Sequence, residues 1–114
     1  MVPLFLEDKP TEEQLKQLKE EFGDYIKLVV DIKKRIISAG GRLHADCEKI
    51  LLENGSQQEN LWGGGVDVIS KKIDCTALTN IRPNQGNDSM EILDANIRGN
   101  FFGIVKRFFP GYES

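Results

Sequence analysis

The sequence is poor in the residues that build metal and redox sites. Its 114 residues include one histidine, His44, and two cysteines, Cys47 and Cys75. The cysteines stand far apart, with no CxxC pair and no Cys/His ligand spacing. Neither a zinc site nor a dithiol motif is supported, so no metal and no cofactor is expected. The simplest reading of the two thiols is reduced and buried, as in a cytoplasmic protein. Basic charge is not in excess: 15 Lys and Arg against 18 Asp and Glu leave a net charge of -3. Bulk nucleic-acid binding needs a strong positive field and is not expected. No apolar run approaches the ~18 residues of a membrane span. The opening stretch Met1–Asp8 lacks a basic segment and a long apolar core, so it does not read as a signal peptide. No P-loop, no Gly-x-Ser-x-Gly and no HExxH occurs.

What is present describes one α+β domain over residues 1–114, with 1–10 as an extended N-terminal arm. Hydrophobic residues make up 39% of the chain, too many for a disordered one. Thr11-Glu12-Glu13-Gln14 reads as a capping box, and Leu15, Leu18 and Phe22 follow as a helical stripe that Gly23 stops. Ile26, Leu28, Val30 and Ile32 alternate as a strand. A hairpin through Lys33-Lys34 to Arg35–Ala39 is expected, without the Asn-Gly turn signature. A second helix is expected from Leu43 to Asn54, burying Leu43, Cys47, Ile50 and Leu51. A second hairpin, Leu61–Ile69 and Ile73–Ile81, carries Gly63-Gly64-Gly65, which suggests a bulge or a close backbone approach. The third helix starts near Ser89 or at Asp94. Asp94 is preferred as N-cap, because Ile97, Phe101, Ile104, Val105 and Phe108 already make a full stripe. The expectation is a mostly antiparallel sheet of four to five strands from two hairpins, order α-β-β-α-β-β-α, with three helices mainly on one face.

Three stretches carry a resemblance: Gly40-Gly41-Arg42-Leu43-His44-Ala45-Asp46-Cys47-Glu48, then Gly55-Ser56-Gln57 with Leu61-Trp62-Gly63, then Asn80-Ile81-Arg82-Pro83-Asn84-Gln85-Gly86-Asn87-Asp88-Ser89-Met90-Glu91-Ile92. From about Tyr25 to Phe108 the chain resembles a family of bacterial proteins, often cyanobacterial, known as a domain of unknown function. Asn-Ile-Arg-Pro-x-x-Gly-Asn is the most specific part. That family often has a proline after the position of Asp94, where this chain has Ala95. The resemblance implies a bacterial source and brings no activity or catalytic residue with it.

The candidate chemistry therefore rests on the residues. His44 stands four residues before Glu48, the spacing of a His–carboxylate acid/base pair or of a boundary histidine bonded to Glu48 or backbone. Gly99 and Gly103 share a GxxxG spacing opposite the apolar stripe, either a homodimer seam or a solvated face. Lys33-Lys34-Arg35 and Lys71-Lys72 form one basic patch if the hairpin tips point the same way. If loop Gly55–Asn60 returns the chain to the end it left, the hairpins are co-oriented. One end of the sheet then gathers Gly41, Arg42, His44, Trp62, Arg82, Asn84 and Asn87. A helix N-terminus flanked by two guanidiniums is an anion site. Trp62 would stack on a base or sugar, and Asn84 and Asn87 would bond a polar group. Against this, Arg82 pairs with a nearby carboxylate and the asparagines satisfy turn backbone. Three function classes follow: a small binding or interaction module, for an anionic or phosphate-bearing ligand; an enzyme on an anionic substrate with His44 as acid/base; a dimerising partner protein.

Overall fold

The computed structural model of the chain describes residues 2–114. Helix α1 (Glu12–Phe22) opens on Thr11 as expected. The Thr11 hydroxyl accepts from the Gln14 N–H at 3.1 Å, and Gln14 Oε1 accepts from the Thr11 N–H at 2.9 Å. Gly23 ends the helix at φ 72°, a left-handed value that costs glycine little. Strands β2 (Tyr25–Asp31) and β3 (Ile36–Ala39) form the first hairpin, and β4 (Leu61–Asp67) and β5 (Lys72–Asp74) the second. Within the expected N-terminal arm, Leu4–Leu6 forms β1 and pairs with β3. The sheet is antiparallel throughout, in the order β1-β3-β2-β4-β5. The C-terminal tail covers the β5 edge: Ile73 N–H donates to Glu113 O and Glu113 N–H to Lys71 O.

Both hairpins turn by the same device. Asp31 Oδ1 accepts from the N–H groups of Lys33 and Lys34, and Asp67 Oδ1 from those of Ile69 and Ser70. The residue closing each turn, Arg35 or Lys71, sits at φ 60°. The aspartate organises the turn, so no Asn-Gly is needed.

The helices do not share one face. Helix α3 (Ala95–Phe108) and α1 cover one side, where Leu18, Phe101, Ile104 and Phe108 pack with Ile26, Leu28 and Val30. Helix α2 (His44–Glu53) covers the other, where Cys47 and Leu51 pack with Val29, Ile36 and Leu61. Leu43 is not part of that stripe: it is the N-cap and 63% exposed. Asp94 caps α3, its Oδ1 accepting from the N–H groups of Asn96 and Ile97 at 2.8 and 3.0 Å.

The two hairpins are not co-oriented. β4 begins opposite Asp31 and ends opposite Tyr25. Helix α2, about 15 Å long at 1.5 Å per residue, carries the chain to the Asp31 end. There Ser56 Oγ donates to Asp31 Oδ2 at 2.6 Å and Lys34 Nζ to Gly55 O at 2.8 Å. A 3-10 turn, Gln58–Asn60, then feeds β4 directly, with Ile32 N–H donating to Asn60 O at 3.0 Å. The tips carrying Lys33-Lys34-Arg35 and Lys71-Lys72 lie at opposite ends of the sheet, so they form no common patch.

β5 also stops well short of Ile81, at Asp74. Beyond it a side chain replaces the strand. Asn80 Oδ1 accepts from the Gly63 N–H at 2.8 Å, and its Nδ2 donates to Gly63 O, Cys75 O and Met90 O at 2.9–3.0 Å. One primary amide thus extends the ladder on β4 and pins the following loop.

Candidate functional site

The opposed hairpins scatter the seven residues expected to converge. Arg82 and Asn84 lie at the Asp31 end with Gln58, Glu59 and Gln85, around a hollow of about 420 Å³. Arg82 is held there mainly by the protein itself. Its Nε donates to Thr79 O, Nη1 to Gln58 O and Gln85 Oε1, and Nη2 to Leu61 O, with Glu48 Oε2 at 3.5 Å. Four of the five guanidinium N–H groups are thereby hydrogen-bonded, and the Glu48 carboxylate is an ion-pair partner of Nη2. Burial lowers the Arg82 pKa and Glu48 opposes the shift. Trp62 is 1% exposed beneath this guanidinium, at 4.8 Å from ring centroid to Cζ, and offers no face for stacking a ligand. Asn87 is buried too. Its Nδ2 donates to Asn80 O, Ser89 O and Glu91 O, and its Oδ1 accepts from Leu93 N–H. Arg82, Trp62 and Asn87 thus have structural partners, as the asparagine-turn reading allowed.

Gly41 and Arg42 line a second hollow, about 370 Å³, beside the start of α2. Arg42, Asp46, Lys49 and Glu53 line it together, so charges of both signs offset one another. Gly41 serves packing: a Cβ there would lie 2.6 Å from Leu43 O and 2.9 Å from Cys47 Sγ.

His44 stands apart from both groups. It is the first residue of α2, and its ring turns toward the sheet rather than toward Glu48. Nε2 lies 2.7 Å from Gly64 O. A carbonyl only accepts, so Nε2 carries the proton and, in the neutral ring, Nδ1 keeps the lone pair. Burial lowers the His44 pKa; the Gly64 carbonyl raises it, Lys27 lowers it and Asp74 raises it, each by less. Glu48, the expected partner, faces Arg82 and Gln58 instead.

Around His44 lies a cleft of about 230 Å³, walled by Leu43, His44 and Ala45 from α2 and by Leu78 and Thr79 from the 3-10 turn Leu78–Asn80, with Lys27 from β2. Asn80, on the same turn, clamps that wall to β4 through Gly63. Gly63 allows the close fit, and its two glycine neighbours make room for other contacts. A Cβ on Gly63 would meet Ala77 Cβ at 2.7 Å, Thr79 Oγ1 at 2.9 Å and His44 Cδ2 at 3.2 Å. One on Gly64 would meet Asp74 O at 2.1 Å, and one on Gly65 the Tyr25 hydroxyl at 2.2 Å. The Lys27 ammonium makes no hydrogen bond or ion pair among the described residues. Thr79 Oγ1 is buried without a partner. Asp74 is engaged elsewhere, accepting from the Tyr25 hydroxyl at 2.7 Å and from Thr76 N–H at 3.0 Å.

Only His44 of the expected residues lines this cleft. Lys27, Leu78 and Thr79 were not legible as partners of His44, because they come from distant segments. One signal was available: Leu28-Val29-Val30 is a continuous apolar run, which marks a strand buried on both faces and so places a helix on the Val29 side. Among the described residues no group of three or more His, Cys, Asp or Glu is placed to hold a metal ion. None of their helices is long and apolar enough to cross a membrane.

A family model described as protein of unknown function (DUF5674) matches residues 4–108. No curated protein and no solved structure matches the chain.

Proposed function

The chain belongs to the DUF5674 family of proteins of unknown function, and we propose that it is a small binding module acting through the His44 cleft. One observation carries the reading. Leu43 and Leu78, exposed by 63% and 71%, flank a concave site that holds an unpaired ammonium. A single exposed leucine is ordinary. Two on opposite walls of a cleft form a seat for an apolar group. The ligand that suits it has an apolar body and an anionic head. Phosphate suits it less, because phosphate sites gather several convergent donors and these walls are apolar. The acid/base reading of His44 is weaker, since Glu48 is held by Arg82 and does not orient the imidazole. Two free cysteines, Cys47 and Cys75, support a cytoplasmic setting.

The test is a titration of the ¹⁵N-labelled chain with N-acetyl-leucine and, separately, with inorganic phosphate. The reading expects N-acetyl-leucine to shift the amides of Lys27, Leu43, His44, Ala45, Leu78 and Thr79. Absence of those shifts overturns it, as does a response to phosphate alone around Arg42 or Arg82.

A further inference from the structure

We propose that the natural ligand of the cleft is the C-terminus of another protein chain, its last, apolar side chain seated between Leu43 and Leu78 and its α-carboxylate on Lys27. This rests on the cleft being the binding site.

Charge selects the head group. Lys27 is half-buried on the sheet floor and has no counter-ion among the described residues. Beside apolar walls, an ammonium attracts an arriving carboxylate more strongly than it would in open water. Asp74 does not serve: it is held by the Tyr25 hydroxyl and Thr76 N–H, and no ion pair joins it to Lys27 among the described residues.

Size limits the body. About 230 Å³ is below the roughly 300–1,000 Å³ of pockets for drug-sized ligands. It suits one side chain and a carboxylate, and no nucleotide or sugar phosphate.

Shape selects a chain end. His44, Ala77 and Thr79 close over Gly63 so tightly that no Cβ fits there. A chain passing through the cleft would need an exit on that side, whereas a terminus needs none. Leu43 and Leu78 also extend apolar surface outward from the cleft. A free small acid would leave that surface wet, and the residues preceding a C-terminus would cover it. Capture of a terminal carboxylate is an established mode of peptide recognition.

The experiment compares three probes by calorimetry on the full chain: a pentapeptide ending in a free leucine, the same peptide amidated, and N-acetyl-leucine. A charge-assisted contact on Lys27 predicts that the free acid binds at least about tenfold tighter than the amide. Lys27→Gln should abolish that ratio while leaving thermal stability unchanged. The pentapeptide should also bind more tightly than N-acetyl-leucine. Equal binding of acid and amide, or a ratio that survives Lys27→Gln, overturns the carboxylate while the cleft stands. Equal binding of pentapeptide and N-acetyl-leucine overturns the chain end in favour of a small free acid. Failure of all three probes overturns both the terminus and the cleft.

Discussion

Replacing Asn80 with alanine should cost this fold about 3–5 kcal/mol, at ~1–3 kcal/mol for each buried polar group left unpaired. The side chain is fully buried and makes four hydrogen bonds to backbone. With alanine, the Gly63 N–H loses its acceptor inside the sheet, and Gly63 O loses the Asn80 donor. Cys75 O and Met90 O lose donors as well, although carbonyls tolerate this better than an N–H does. Domains of this size have a total stability of about 5–15 kcal/mol, so the loss is a large share. Urea unfolding is the assay. At an m-value of about 2 kcal/mol/M the midpoint should fall by roughly 2 M, with m unchanged. Asn80→Asp separates the two halves of the clamp. It keeps an acceptor for Gly63 N–H but turns a carboxylate oxygen toward three carbonyls, so at neutral pH it should cost at least as much as alanine. A loss below about 1 kcal/mol for Asn80→Ala would refute the reasoning, since that is the worth of one ordinary hydrogen bond. The same variant should loosen the wall carrying Leu78 and Thr79, because Asn80 is what ties that turn to β4.

Three further outcomes are expected. Burial makes folded His44 bind its proton more weakly than the unfolded chain does. Its contribution to stability is therefore full above the unfolded value near ~6.5 and declines as the pH drops below it. Denaturation measured from pH 7.5 to 5.5 should show this slope in the wild type and lose it in His44→Gln. Gly64→Ala sets a methyl 2.1 Å from Asp74 O and 2.6 Å from Phe101 Cζ; it should destabilise by about 3 kcal/mol, and a thermal midpoint near wild type contradicts the close packing. Gly99 and Gly103 face open space on exposed helix, so alanine at each should stabilise by about 0.5–1 kcal/mol without changing the mass by light scattering. A drop in mass would instead reveal the dimer seam.

Local rules made the helix ends legible. The Thr11 box and the Asp94 cap needed only residues within three positions of each other. The strand Tyr25–Asp31 was legible from alternation, and Leu61–Asp67 lies within an arm expected to reach Ile69 despite its three glycines. What the sequence left open was the end at which β4 begins. That choice depends on whether six polar residues after Asn54 run back along the sheet or turn at once, and both fit their length. The turn wins because Arg82, from far along the chain, holds Gln58 O and Leu61 O. The same non-local contact dissolves the expected anion pocket. It uses Arg82 in the frame and leaves His44 beside Lys27 and Leu78. The end of β5 was hidden for a similar reason: Cys75–Ile81 has strand composition, but the Asn80 side chain, not its backbone, completes the ladder.

Filling the cleft is the most direct test that it is the binding site. Ala45 is exposed on the first turn of α2 and lines the cleft, so Ala45→Phe adds bulk there without entering the core. Stability should change by only about 0.5 kcal/mol, the difference in helix propensity. Calorimetry with the leucine-terminated pentapeptide should show affinity lost by tenfold or more. Undiminished binding to the filled cleft would contradict the account.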